Sequence, residues 1–195
     1  SSVKEDERAC ELAHLATQPL ASLSGAVKAN FLRSVADRLD ASIEELIETM
    51  TMETGLPEGR VRGETGRTSG QLRMFAKLLD EGSWVDARID RAIPDRVPAP
   101  KPDLRTMLRP VGPVAVFCAS NFPLAFSVAG GDTASAWAAG CPVIVKAHHA
   151  HPGTALIVGK LVVESVREHK LPEGTFSLIF GSGQTIGQSI VKNTH

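Results

Sequence analysis

The sequence has no tyrosine, and its aromatic residues are seven phenylalanines and two tryptophans. So few rings weigh against a surface that binds nucleic acid by base stacking. Neither sign of charge dominates: 21 Lys and Arg stand against 22 Asp and Glu, a net charge of −1. That balance weighs against a broad basic surface for phosphates, and no nucleic-acid partner is expected. Cysteine is scarce and odd in number, at Cys10, Cys118 and Cys141, with no C-x-x-C spacing. That excludes a disulfide framework, suggests no metal site, and points to a reducing compartment. No apolar run approaches the ~20 residues of a membrane helix, so no membrane partner is expected. Ser1 to Glu11 is charged and lacks a secretory apolar core, which makes a cytoplasmic location the expectation. The first residue is Ser, as in a processed or trimmed product.

What is present is ordinary globular composition: 195 residues, 43% hydrophobic and 22% charged. That length suits one domain and part of another. The first third reads as helices. Val27, Phe31, Val35 and Leu39 share one helical face. Ser42 and Glu45 match a capping box, followed by Ile43, Leu46, Ile47 and Met50 at helical spacing. Gly55 fits a C-cap and Pro57 the first residue of the next helix, which carries Leu72, Phe75, Ala76 and Leu79 on one face. Gly59, Gly63, Gly66 and Gly70 lie in the same helix, each costing roughly 1 kcal/mol against Ala. Close packing against a neighbouring helix is expected to offset them.

The pattern changes near Trp84. Val85 to Asp90 and Leu104 to Leu108 alternate with period two, and Pro94, Pro98, Pro100 and Pro102 lie between them. Two extended arms joined by a proline-rich loop are expected, reaching toward a neighbouring subunit. From Gly112 the chain alternates strand and helix. Pro113–Ala119, Pro142–Lys146 and Phe176–Phe180 read as buried strands. Helices are expected from Pro123 to Ala139, from Pro152 to about Glu168, and after Gly183. The fold class is α/β: a helical N-terminal segment, then a parallel βαβαβα unit. The divisions expected are 1–83, 84–109 and 110–195.

Ligands of an open parallel sheet bind beyond the carboxyl ends of its strands. Three loops qualify: Ala119–Pro123, Lys146–His149 and Gly181–Gly183. A G-x-G-x-x-G fingerprint after the first strand is absent, so a plain dinucleotide fold is not indicated. The Asn121 carboxamide is able to serve an oxyanion or simply to satisfy loop backbone. Lys146 is either a ligand for ribose or phosphate or a surface lysine at a strand end. Gly181, Gly183 and Gly187 permit close phosphate approach or serve turn chemistry. His148, His149 and His151 read as solvated loop histidines, and Cys118 and Cys141 as packing residues.

Taken together, Arg109-Pro-Val-Gly-Pro-Val114, Asn121-Phe-Pro123, Ala138-Ala-Gly-Cys-Pro-Val-Ile-Val-Lys146 and Gly181-x-Gly-x-Thr-x-Gly187 resemble the NAD(P)-dependent aldehyde dehydrogenase superfamily. Ala119 to Thr133 resembles the branch acting on 2,5-dioxopentanoate. The resemblance implies a Rossmann-like cofactor domain, of which 110–195 is the first half. It implies that Asn121 is the oxyanion-hole asparagine, that Lys146 holds the adenosine ribose, and that Gly183 and Gly187 lie beside adenine and pyrophosphate. Cys118, Ala119, Ser120 and Phe122 would line the cofactor channel, with Gly181, His148 and His149 also at the cofactor. A homo-oligomer, dimer or tetramer, and a small aldehyde substrate are implied as well.

Departures from the family pattern sharpen these expectations. Ser120 stands where many members have Trp. His149 stands where NAD-preferring members often have Glu; an imidazole does not repel a 2′-phosphate, so NADP is expected, with NAD tolerated. None of the three cysteines matches the family's nucleophile, and its general-base Glu is not in this chain either. The expectation is the N-terminal portion of an aldehyde dehydrogenase, inactive alone. The alternative is a non-catalytic nucleotide-binding or assembly module.

Overall fold

A computed structural model describes residues 1–194. The chain opens with α1 (Val3–Ala21), where the Ser2 hydroxyl accepts from the Glu5 N–H and the Glu5 carboxylate accepts from the Ser2 N–H. This is a reciprocal cap. Next come α2 (Gly25–Ala41), α3 (Ile43–Thr54) and α4 (Glu58–Glu81). Phe31, Val35 and Leu39 are buried as their spacing predicts, but Val27 is 37% exposed and its neighbour Lys28 is buried instead. Gly55 ends α3 at φ 70°. Two capping expectations fail: Ser42 makes no side-chain cap, and Pro57 is the N-cap residue of α4, not its first helical residue.

The expected close packing at the α4 glycines is also wrong. A Cβ added at Gly59, Gly63, Gly66 or Gly70 would meet nothing within 4 Å. These glycines form a bare, exposed stripe. The buried face of α4 carries Val61, Glu64, Thr65, Thr68, Leu72 and Ala76.

After Trp84 the chain forms β1 (Arg88–Asp90) and β2 (Leu104–Thr106), an antiparallel pair with Ile89 opposite Arg105. All six residues are exposed. The arms are shorter than their alternation suggested. Beyond Asp90 pairing survives only at the Ile93–Lys101 bridge, because the prolines that follow supply no ladder donor.

The main sheet contains β3 (Val114–Phe117), β4 (Val143–Lys146) and β5 (Phe176–Ile179), all parallel and in chain order. The crossovers are α5 (Gly131–Ala139) and α6 (Pro152–Glu168). A five-residue π-helical turn, Gly183–Gly187, then leads into α7 (Gln188–Lys192). One sheet face, with Val116, Val143 and Val145, joins α2 to α6 in the main core around Trp137. The opposite face, with Ile144 and Ile179, is covered by Ala9, Cys10 and Ala13 of α1 and by Ile186 and Ile190. The α1 backbone reaches the sheet layer closely: a Cβ at Gly174 would lie 1.9 Å from the Leu12 carbonyl oxygen.

The helix expected from Pro123 starts later, at Gly131. Residues 123–130 form successive turns instead. Ser127 N–H donates to Leu124 and Gly130 N–H to Ser127, which are turn bonds and not a continuing helix. Glu64 of α4 accepts from the backbone N–H groups of Leu124 and Ala125 at 2.8 and 2.9 Å. The chain then doubles back so tightly that a Cβ at Gly130 would lie 2.4 Å from the Ala125 carbonyl oxygen.

Candidate cofactor and oxyanion site

The three loops beyond the strand ends are tied together by backbone hydrogen bonds. Cys118 N–H donates to the Lys146 carbonyl at 3.1 Å, Ala119 N–H to Phe126 at 2.9 Å, and Ala147 N–H to Ile179 at 2.8 Å. His151 adds a side-chain tie, with Nε2 2.8 Å from the Ala119 carbonyl oxygen. A carbonyl only accepts, so Nε2 carries the proton. His151 is fully buried. It is therefore not the solvated loop histidine its sequence context suggested; it struts the first loop against the second.

Asn121 lies in the first loop, exposed. Among the described residues its carboxamide has no hydrogen-bond partner, while its main-chain oxygen accepts from Arg60 at 3.3 Å. Ser120 beside it is exposed and Ala119 half-buried. Phe122 packs edge-on against Phe126, ring centroids 5.1 Å apart.

Lys146 is the last residue of the central strand and is paired in register with Phe117 and Ile179. Register partners in a parallel pair point to the same face. Lys146 is 8% exposed, yet it has no carboxylate partner among the described residues. Its neighbour Phe117 is 48% exposed. Phe117 borders an open cleft of about 370 Å³ with Gly183, Gly187, Gln188, Val191 and Lys192. A Cβ at Gly187 would stand 3.6 Å from the Phe117 ring, and one at Gly183 would meet nothing. Gly181 has φ 147°, and a Cβ there would lie 2.4 Å from Ile186, so the turn itself requires a glycine.

His148 and His149 stack with centroids 4.3 Å apart. His149 is exposed and His148 half-buried. Burial pulls the His148 pKa below its ordinary value, helped by the charges of His149, His151 and Lys146. Cys118 follows β3 directly and is buried; burial pushes its thiol pKa up, opposed by the nearby Ser127, the His148 N–H and Lys146. A thiol held in its protonated form is a poor nucleophile, which agrees with its reading as a packing residue. Among the described residues no group of His, Cys, Asp and Glu forms a metal site.

Two carboxylates escaped the sequence reading. Glu53 of α3 accepts from the Gly153 and Thr154 N–H groups at 2.6 and 2.9 Å. It thereby neutralises the N-terminus of α6. Glu64 does the same for the turn after β3. Both places where a phosphate ordinarily meets a strand–helix turn already hold the protein's own anion. The missing glycine fingerprint after β3 thus has a structural counterpart. Their sequence signal was weak, because each acid lies far along the chain from the amides it serves.

The aldehyde dehydrogenase family description matches residues 1–195. The chain is 52% identical over 187 residues to alpha-ketoglutaric semialdehyde dehydrogenase 2 of Azospirillum brasilense, covering 96% of this chain and 36% of that protein. It is 45% identical over 193 residues to an alpha-ketoglutaric semialdehyde dehydrogenase of Acinetobacter baylyi, covering 99% and 36%. The fold is similar to that of glyceraldehyde-3-phosphate dehydrogenase GapN from Methanocaldococcus jannaschii, solved with NADP, at a TM-score of 0.82 and 23% identity over 100% of this chain and 40% of that one. At that identity the likeness concerns the fold. The chain spans about a third of the length of the curated relatives it matches. With the family match running over the whole chain, this chain belongs to the aldehyde dehydrogenase family.

Proposed function

We propose that the polypeptide carrying this chain is an NADP-using aldehyde dehydrogenase that oxidises 2,5-dioxopentanoate to the corresponding dicarboxylate, with NAD tolerated. The observation that carries the reading is the 52% identity to the Azospirillum brasilense enzyme across nearly the whole chain. The relevant residues fit a dinucleotide. Lys146 is a largely buried lysine whose ammonium has no carboxylate partner among the described residues, and Phe117 offers an exposed ring beside a cleft that Gly183 and Gly187 border. The nicotinamide group, when bound, accepts the hydride leaving the aldehyde carbon.

This chain's own residues do the rest of what falls to it. Lys146 holds the adenosine ribose hydroxyls, and Phe117, Gly183 and Gly187 receive the adenine ring. Cys118, Ala119, Ser120 and Phe122 form the channel wall between that end and Asn121. The Asn121 N–H donates to the oxyanion that develops on the aldehyde oxygen. A donor aimed at such charge in a dry site contributes about 3 kcal/mol. His149 accommodates a 2′-phosphate, where a carboxylate would repel it. Residues 1–83 brace this half-site, and residues 110–195 form it. The arms of 84–109 reach a second copy; Ile89 and Leu104 on them are 66% and 52% exposed. The test is the full-length gene product assayed with 2,5-dioxopentanoate and each cofactor. NADP-dependent oxidation is expected, and its absence with both cofactors sinks the reading.

A further inference from the structure

Helix α4 carries four arginines, and the structure sorts them into two kinds. Arg62 holds Glu58 at 2.7 Å and Glu44 at 3.0 Å. Arg73 holds Asp37 at 2.6 Å and Asp40 at 2.7 Å. Arg60 and Arg67, which face the Asn121 loop, are treated differently. Arg60 has one acid, Glu64 at 3.3 Å, and that carboxylate already accepts two backbone N–H groups. Arg67 has no ion pair or hydrogen bond among the described residues. Its guanidinium lies over two rings, 5.7 Å from Phe122 and 4.9 Å from Phe126. Arg60 lies 4.7 Å over Phe122 and donates to the Asn121 main-chain oxygen.

Stacking on a ring uses the face of a guanidinium and leaves its N–H donors free in the plane. Arg67 is therefore presented as a free fork that suits a carboxylate, while Arg60 has Nε on Glu64 and Nη2 on the Asn121 main-chain oxygen. Residues 60, 64 and 67 share one face of α4 by helical spacing. Glu64 pins the 121–126 turn to that face, so the positions of the arginines and of Asn121 are set together. On the solvent side lie Gly63 and Gly66, with open space above them.

The geometry points to a carboxylate subsite made by Arg60 and Arg67, which binds the far end of an acid-aldehyde while its carbonyl lies at Asn121. This deepens the proposed function and rests on it. The subsite selects aldehydes that carry a terminal carboxylate over uncharged ones. Arg67 supplies the free fork; Arg60 supplies a second charge and fixes the loop. A cofactor phosphate is the other anion such a fork accepts, and the test separates the two.

The experiment uses the full-length gene product and its Arg67→Gln, Arg67→Lys and Arg62→Gln variants. It compares kcat/KM for 2,5-dioxopentanoate and for pentanal, KM for NADP, and Kd for glutarate. Arg67→Gln is expected to lower kcat/KM for the acid-aldehyde about 10-fold or more, mainly through KM. Its pentanal rate stays within about twofold, NADP KM is unchanged, and glutarate binding weakens in parallel. Arg67→Lys retains part of the preference, and Arg62→Gln retains all of it. Equal losses on the two aldehydes, no loss on either, or a raised KM for NADP with the preference intact each overturn the subsite. If wild type oxidises neither aldehyde, the functional reading fails by itself. The glutarate measurement then judges the subsite: Arg67-dependent binding supports it, and binding unaffected by Arg67→Gln, or none, rejects it.

Discussion

Phe117 and Lys146 are register partners at the last rung of the parallel β3–β4 pair, so their side chains leave the same face of the sheet. One is a half-exposed ring and the other a lysine whose side chain is largely buried. Phe117 stands four residues before Asn121, along the first strand and its loop.

Replacing Lys146 by Met keeps much of the stem and removes the charge. The full-length gene product is expected to show KM for NADP raised about 10-fold or more, with a smaller change in KM for the aldehyde. Steady-state kinetics against both substrates checks this. An unchanged cofactor KM excludes Lys146 from the ribose site.

His149→Glu places a carboxylate where the imidazole now stands exposed. Repulsion of the 2′-phosphate is expected to lower kcat/KM for NADP about 10-fold, while NAD use changes by less than about threefold. The ratio of the two cofactor efficiencies is the readout. An unchanged ratio removes His149 from cofactor selection.

Glu64→Gln keeps one acceptor oxygen but removes the charge that serves two buried N–H groups and Arg60. A loss of about 1–3 kcal/mol in stability is expected, seen as a lower midpoint in thermal unfolding. Glu64→Ala costs more, because it leaves both amides without a partner. Stability within error of wild type for both variants contradicts the pinning role.

The thiols yield a prediction for the 195-residue chain. All three are buried. Burial, reinforced by the Asp6 charge, pushes the Cys10 pKa up to about 11 from 9.0. Burial also raises that of Cys118. A folded-state pKa raised above the unfolded value means the unfolded chain releases its proton first. Stability is therefore full below pH 9 and falls as the pH rises toward 11. Cys10→Ala reduces that fall, as pH-dependent denaturation would show. The same burial leaves the isolated chain without a competent nucleophile, so it does not turn over aldehydes with either cofactor. Measurable turnover by the purified chain contradicts this.

Local periodicity made much of the fold legible. The strands of the main sheet lie within a residue or two of their apolar runs, and α6 runs from Pro152 to Glu168 as its spacing predicts. The resemblance carried on Asn121, Lys146 and the glycines pointed to the carboxyl edge where those residues stand. The readings that failed depended on partners. Pro123 did not open a helix: the chain after it makes isolated turns, with Ser127 N–H donating to Leu124 and Gly130 N–H to Ser127, and Glu64 pins the first of them to α4. The α4 glycines were read as packed and are bare. His151 was read as solvated and is a buried strut.

The sequence by itself determined the order of elements, their apolar faces and the family, because each depends on residues close together in the chain or on short motifs. Only the tertiary structure decided which charges meet. Arg60 and Arg67 reach Phe122 and Phe126 across some sixty residues of chain. Whether an arginine finds a carboxylate or a ring depends on which surface packing brings opposite it, and helical spacing carries no record of that.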